Sequence, residues 1–148
     1  MEHINQHRHG RVHMIGIGGS SMSGLASILL DKGFRVSGSD LTPSPVLKAL
    51  AARGAQVFIG HDAHNVDGAT IVVHTAAVHP DNPEMRAAAQ AGIPIMERAV
   101  LLGQLMAQYE VAIGIAGTHG KTSTTALTST ILELAGTDPT IHIGGRLD

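Results

Sequence analysis

The sequence contains no cysteine, which excludes disulfide bonds, zinc–thiolate sites and thiol nucleophiles. Tryptophan is also absent and aromatic residues make up only 2% of the chain, so the stacking platforms of single-strand nucleic acid binders are missing. No apolar run approaches the ~20 residues that cross a bilayer, and the first residues, MEHINQHRHGR, lack the apolar centre of a signal peptide. The formal net charge is only −2, which gives no electrostatic reason to expect a nucleic acid or membrane partner. We therefore expect a cytoplasmic protein.

The remaining composition is that of a folded α/β protein, because 43% of the 148 residues are hydrophobic and strand-like and helix-like segments alternate. Segments such as TIVVH and VAIGIA are apolar on both faces, which indicates a parallel, doubly wound sheet covered by helices. Residues 1–10 are polar, and we expect them to be loose. The predicted strands span residues 11–19, 34–40, 55–60, 70–76, 93–96, 111–117 and 141–145, and the predicted helices span residues 22–32, 45–53, 83–91, 98–108 and 121–135.

The first glycine cluster, GIGGSSMSG, follows the first predicted strand and opens the first helix. Gly16 permits the tight turn, and Gly18 would let the backbone approach a diphosphate placed at the helix N-terminus. Asp40 lies 22 residues after Gly18, at the end of the second strand, where an acid can accept ribose hydroxyls. The pattern predicts a diphosphate–ribose site and leaves NAD and other nucleotide diphosphates open. The alternative is a structural turn with Asp40 as a cap.

The second glycine cluster, AGTHGKTS, stands between a predicted strand and the last predicted helix. The usual phosphate-loop pattern would place its first glycine at Ile115, and here that glycine is Gly117, which shortens the motif to G-x-x-G-K-T. Backbone amides of residues 118–121 could still surround phosphates, Lys121 could reach their outer oxygens, and Thr122 could hold Mg²⁺. The alternative is again a purely structural turn.

Four segments resemble landmarks of the Mur ligase family in order and spacing: GIGGSSMSGLA, SGSD, HTAAVHPDNPE and AGTHGKTSTT. The resemblance covers residues 11–146, and the histidine in GTHGKT is typical of the branch that uses UDP-N-acetylmuramic acid. It implies a Rossmann-like parallel-sheet domain at residues 1–109 that binds the UDP-sugar. The start of a P-loop ATP-binding domain would follow at residues 110–148.

The resemblance also implies roles for particular residues. The diphosphate would be lined by Gly16, Gly18, Gly19, Ser20, Ser21 and Met22. Ser39 and Asp40 would face the uridine end, and Thr75, Ala76 and Asn82 would line the cleft. ATP would be bound by Gly117, Thr118, His119, Gly120, Lys121, Thr122 and Ser123. Lys121 and Thr122 would be the catalytic pair, with Thr122 on Mg²⁺. Ser21 departs from the family, which more often has glycine there, and we expect a small effect on substrate binding.

The activity implied by the resemblance is ligation in peptidoglycan synthesis. The muramyl carboxylate attacks the γ-phosphate of ATP to give an acyl phosphate, and the amine of L-alanine then displaces phosphate. Family enzymes have about three domains, so we expect this chain to be part of a longer enzyme and not to ligate by itself.

Three alternatives remain open from the sequence. A related family member couples a tripeptide instead of L-alanine. An NAD-binding dehydrogenase domain would leave Lys121 and Thr122 without a purpose. The third alternative is a non-catalytic UDP-sugar-binding module.

Several other side chains are assigned from their surroundings in the sequence. His13 is grouped with His3, His7 and His9, which we expect in a polar N-terminal tail, with a metal site as the alternative. His61 and His64 are expected at the surface or in turns. Arg98 could equally be structural or contact substrate. Met22 could pack in the helix or form a wall of the diphosphate loop.

Overall fold

The computed structural model of the chain describes residues 2–144 and contains one five-stranded sheet in which every pairing is parallel. The strand order is β3-β2-β1-β4-β5, so the chain moves outward in one direction and then crosses back to the other side of β1. This arrangement confirms the predicted α/β, Rossmann-like fold. The strands are β1 (Arg11–Ile15), β2 (Arg35–Asp40), β3 (Gln56–Ile59), β4 (Ile71–His74) and β5 (Ile95–Glu97).

All five predicted helices form, and each end lies within two residues of the predicted one. Local sequence explains the start of the second helix: Ser44 accepts a hydrogen bond from the amide of Leu47, and proline occupies the first turn next to it. The helices are α1 (Ser20–Asp31), α2 (Pro45–Ala52), α3 (Pro83–Gln90), α4 (Arg98–Met106) and α5 (Lys121–Leu134), with short 3-10 helices at Ile4–His7 and Ala63–Val66.

Helices cover both faces of the sheet and bury a hydrophobic cluster on each. Met14 of β1 contributes to the larger cluster, together with Leu25 of α1 and Leu101 of α4. Ile15, the next residue, points to the opposite face and joins the smaller cluster with Ala88 of α3. The central strand is therefore buried on both sides.

The N-terminal segment is ordered, so the prediction that residues 1–10 are loose is wrong over residues 2–10. Ile4 is fully buried, and its amide donates to Gln104 Oε1 at 2.8 Å. Gln104 Nε2 in turn donates to the carbonyl of Glu2 at 2.8 Å. The single apolar side chain in a polar stretch carries enough buried area to dock the segment on α4.

The two last predicted strands are not formed. Residues 111–117 and 141–144 have no strand structure, and residue 145 lies outside the described residues. A strand needs hydrogen-bonding neighbours, and within residues 2–144 none is placed beside these segments. The helix between them, α5, forms all the same. Every helix in residues 2–144 is too short or too polar to span a bilayer.

Candidate functional site

The glycine loop, residues 16–19, lies at the carboxyl edge of the sheet between β1 and α1. The strand order reverses between β1 and β4, and this is the place where parallel α/β sheets bind ligands. Gly16 has φ +75°, a conformation that favours glycine. The amides of Gly16 and Ile17 both donate to the carbonyl of Ser39, at 2.8 and 3.0 Å. The loop is therefore fastened to the end of β2.

Asp40 holds the next part of the glycine loop. Its Oδ2 accepts the amide of Gly18 at 2.9 Å, and its Oδ1 accepts the amide of Leu41 at 2.8 Å. A Cβ on Gly18 would stand only 2.7 Å from Oδ2, so a larger residue at this position would displace the carboxylate. The Gly18 amide is thereby bonded within the protein and is not itself a free donor, whereas the approach of a diphosphate to the backbone at Gly18 stays a prediction. Each carboxylate oxygen keeps a second lone pair for a further donor.

The start of α1 offers unpaired backbone donors. Gly19 is the N-cap and supplies no side-chain cap, and the first internal bond runs from Ser23 N to Gly19 O at 2.8 Å. In residues 2–144 the amides of Ser20, Ser21 and Met22 have no protein acceptor. Three free amides at the positive end of a helix are able to bind an anion. The side chain of Met22 is buried in the core, so only its backbone faces this site.

Arg98 and the C-terminal segment lie beside these amides. Ser21 Oγ accepts a hydrogen bond from Arg98 Nη1 at 3.0 Å and contacts His142 Nε2 at 3.2 Å. Ser20 Oγ donates to the carbonyl of Gly144 at 3.2 Å. Burial and the charge of Arg98 hold the pKa of His142 below its usual range. Arg98 thus makes a structural bond and also places a cation next to the helix start.

Of the remaining predicted residues of this site, Thr75 and Ala76 lie at the edge of the sheet, whereas the side chains of Ser39 and Asn82 form hydrogen bonds within the protein. Thr75 and Ala76 directly follow β4 at the same edge of the sheet, half-buried and exposed respectively. Ser39 is fully buried, and its hydroxyl donates to Glu84 Oε2 at 2.7 Å, so the expectation that its side chain faces a uridine is wrong. Asn82 caps α3 by accepting from the amide of Glu84 at 2.9 Å.

The second glycine cluster forms an exposed loop at the start of α5. Gly120 is the N-cap with φ +74°, and no side chain caps the helix. Lys121 Nζ bends back onto the loop and donates to the carbonyl of Gly117 at 2.5 Å. Thr122 and Ser123 are exposed beside it. An uncapped helix start with an ammonium and two hydroxyl groups fits nucleotide phosphates and a divalent cation.

Sequence reasoning missed a buried polar cluster beneath the carboxyl edge. Glu84 is fully buried and hydrogen-bonds His13, Ser39, His61 and Asn65. Burial alone would raise its pKa, but the hydrogen bonds from His13, Ser39 and Asn65 and the attraction of His13 outweigh that effect and hold the pKa below its ordinary value. We call these five residues together with Ser37, which bonds His13, the Glu84 network.

The sequence contained a signal for the burial of Glu84 and His13, and none for the partners that they bond. Glu84 and Ala88 are spaced i, i+4 on α3, and both are fully buried. His13 stands inside a strand between two apolar residues, so its assignment to a polar tail is wrong: it is fully buried. His61 is only 20% exposed at its side chain and bonds Glu84, whereas His64 is exposed, as expected.

The chain matches the family model described as the catalytic domain of the Mur ligase family, over residues 11–110. It is 49% identical over 145 residues to the UDP-N-acetylmuramate–L-alanine ligase of Alkaliphilus metalliredigens. That match includes 98% of this chain and 32% of the relative, so the chain spans about a third of the length of the curated relatives it matches.

Two solved structures are similar over most of the chain. The UDP-N-acetylmuramate–alanine ligase of Thermotoga maritima is 33% identical, with a TM-score of 0.88 over 95% of this chain and 33% of that one. The UDP-N-acetylmuramate:L-alanyl-γ-D-glutamyl-meso-diaminopimelate ligase of Neisseria meningitides is 35% identical, with a TM-score of 0.79 over 86% of this chain and 40% of that one.

Proposed function

The chain belongs to the Mur ligase family, and on that premise we propose that it is the substrate-binding part of an ATP-dependent ligase. The enzyme joins L-alanine to UDP-N-acetylmuramic acid in peptidoglycan synthesis, in the cytoplasm. The observation that carries this proposal is the uncapped start of α1 at the carboxyl edge of the sheet, next to the Asp40 carboxylate. About 50% identity to ligases named for these two substrates supports it.

We assign the UDP-sugar to residues 1–109. The amides of Ser20, Ser21 and Met22 bind the diphosphate, because they are unpaired donors at the positive end of a helix. Arg98 adds positive charge beside them. Asp40 accepts ribose hydroxyls with its remaining lone pairs, and Thr75 and Ala76 line the cleft on the β4 side.

We assign ATP and Mg²⁺ to the loop of residues 117–123. This loop lies within residues 110–148, which we assign to the start of an ATP-binding domain. ATP supplies the phosphoryl group that makes a carboxylate reactive toward an amine. Lys121 exchanges its bond to the carbonyl of Gly117 for phosphate oxygens and neutralises their charge. The exposed Thr122 hydroxyl is placed to hold the cation, next to the open amides of the α5 start.

A second candidate within the family is a ligase that adds a peptide instead of L-alanine, a murein peptide ligase. The similarity to the Neisseria enzyme, which is 35% identical over 86% of this chain, supports this second candidate. Supplying a longer protein that carries this chain with either L-alanine or the tripeptide, and measuring phosphate release, decides between them.

Calorimetric titration of the chain separately with UDP-N-acetylmuramic acid, NADH and Mg-ATP tests the proposal. We expect saturable binding of the UDP-sugar and none of NADH. Binding of NADH with no response to the UDP-sugar would mean a dinucleotide site and would overturn the assignment.

A matched pair of variants tests the second site. Lys121→Ala should weaken Mg-ATP binding by about tenfold or more, because a charge-assisted contact to phosphate is lost. Lys48→Ala removes an exposed cation from α2 and should leave Mg-ATP binding unchanged. Equal losses in both variants would show that the effect is one of overall charge.

A further inference from the structure

The Glu84 carboxylate is saturated with hydrogen-bond donors although it has no access to solvent. Its Oε1 accepts from Asn65 Nδ2 at 2.6 Å and from His13 Nε2 at 3.3 Å. Its Oε2 accepts from Ser39 Oγ at 2.7 Å and from His61 Nδ1 at 2.9 Å. Four donors therefore meet the four lone-pair sites of an ionised carboxylate.

Such a group is costly to bury, and a hydrophobic residue of similar size would be cheaper if stability were its only role. The four partners come from separate places in the fold: β1, β2, the turn after β3 and the 3-10 helix at Ala63–Val66. Glu84 thus adds side-chain hydrogen bonds between segments of which two, β1 and β2, already pair through their backbones.

Ser39 connects this cluster to the proposed ligand site, because it is bonded on both sides. Its hydroxyl donates to Glu84, and its carbonyl accepts the amides of Gly16 and Ile17. Any shift of Ser39 therefore moves the glycine loop, and the loop leads directly into the free amides at the start of α1.

We propose that Glu84 is a positioning residue for the glycine loop. Its hydrogen bond holds the side chain of Ser39, and Ser39 in turn sets the position of the glycine loop and of the start of α1. Glu84 does not touch the ligand. The consequence for binding rests on the proposed function, whereas the consequence for the loop itself does not.

Ser37 offers a matched control within the same network. It lies two residues before Ser39 on β2, is equally buried, and points to the same face of the sheet. Its hydroxyl bonds His13 Nδ1 at 2.9 Å instead of Glu84. Its strand partner in β1 is His13, whereas the partner of Ser39 is Ile15, the residue next to the glycine loop.

Amide hydrogen exchange without any ligand is the first test. We expect Ser39→Ala and Glu84→Gln to speed exchange at Gly16 and Ile17 by about tenfold relative to the amide of Val12, because Ser39, whose backbone carbonyl accepts both amides, is no longer held by the bond from its hydroxyl to the Glu84 carboxylate. Ser37→Ala should leave that ratio unchanged. An unchanged ratio in Ser39→Ala, or an equal rise in Ser37→Ala, would overturn the proposal. If Glu84→Gln does not fold, the two serine variants decide the matter.

The dissociation constant for UDP-N-acetylmuramic acid is the second test. It should rise about tenfold in Ser39→Ala and stay unchanged in Ser37→Ala. Faster exchange with an unchanged dissociation constant would overturn the link between Glu84 and binding. If the wild-type chain does not bind the UDP-sugar, the proposed function fails, and the exchange ratios still decide the positioning role.

Discussion

The molecule contains two strand–glycine turn–helix sequences, and they behave differently. In the first unit, β1, the glycine loop and α1 are built into the sheet, and Leu25 and Leu29 of α1 are fully buried. In the second unit, residues 111–134, the strand does not form and α5 exposes its apolar side chains, with Leu127 66% and Leu134 85% exposed.

The difference depends on whether an element forms its hydrogen bonds within itself or with neighbouring segments. A helix closes its hydrogen bonds within itself, so α5 forms wherever its sequence allows. A strand closes them with neighbours: β1 lies between β2 and β4, whereas residues 111–117 have no neighbouring strand in the described part of the chain. The apolar pattern of residues 111–117 is thus necessary for a strand and not sufficient.

Truncating one leucine in each helix gives the largest expected contrast. Leu25→Ala should lower the free energy of unfolding by about 2–5 kcal/mol, because it empties space in the larger core cluster. Leu127→Ala should change it by less than about 0.5 kcal/mol, because the side chain is already exposed. Urea unfolding followed by circular dichroism measures both, and similar costs would show that α5 packs in solution against a surface of its own.

Adding one methyl group to the glycine loop gives an intermediate effect within the first unit. Gly18→Ala should destabilise the chain by about 1–3 kcal/mol, because its Cβ would meet Asp40 Oδ2 at 2.7 Å. At Gly19 the nearest atom to such a Cβ is the carbonyl oxygen of Gly16 at 3.4 Å, so Gly19→Ala should cost less. Thermal unfolding of the two variants checks the order, and equal stability would mean that Asp40 is not held against the loop.

Acid should lower the stability of the folded chain through Glu84, and we expect this to be the smallest of the three effects. The pKa of Glu84 is lower in the folded chain than in the unfolded one, so its contribution is fully present above the ordinary glutamate pKa of about 4.3 and is lost as the pH falls through the folded value. Glu84→Gln should flatten the decline of the urea midpoint between neutral and acidic pH.

The matched control for that measurement is Glu133→Gln on α5, where the carboxylate is exposed. This variant should keep the pH dependence of the wild-type chain. A decline that survives in Glu84→Gln would place the acid-sensitive group elsewhere.

Much of the first unit could be predicted from the sequence, because its signals are local and its neighbours are present. The spacing of Gly16, Gly18 and Asp40 predicts one site, and the structure adds a direct hydrogen bond between Gly18 and Asp40 that the spacing does not reveal. The hydrogen bond between Ser39 and Glu84 could not be predicted, because it joins residues 45 positions apart and depends on how α3 packs against β2. The spacing of residues in a sequence indicates which face of a helix or strand a side chain occupies. It does not indicate which side chains of different elements contact each other.

The central claim is that the start of α1 receives the diphosphate of a UDP-sugar. The most direct measurement is a ¹H–¹⁵N NMR titration of the chain with UDP-N-acetylmuramic acid, read at the amides of Ser20, Ser21 and Met22. Saturable shifts at these three amides, absent in a parallel titration with NADH, are the predicted result. Shifts confined to residues 117–123, or none at the α1 start at saturating UDP-sugar, would contradict the account.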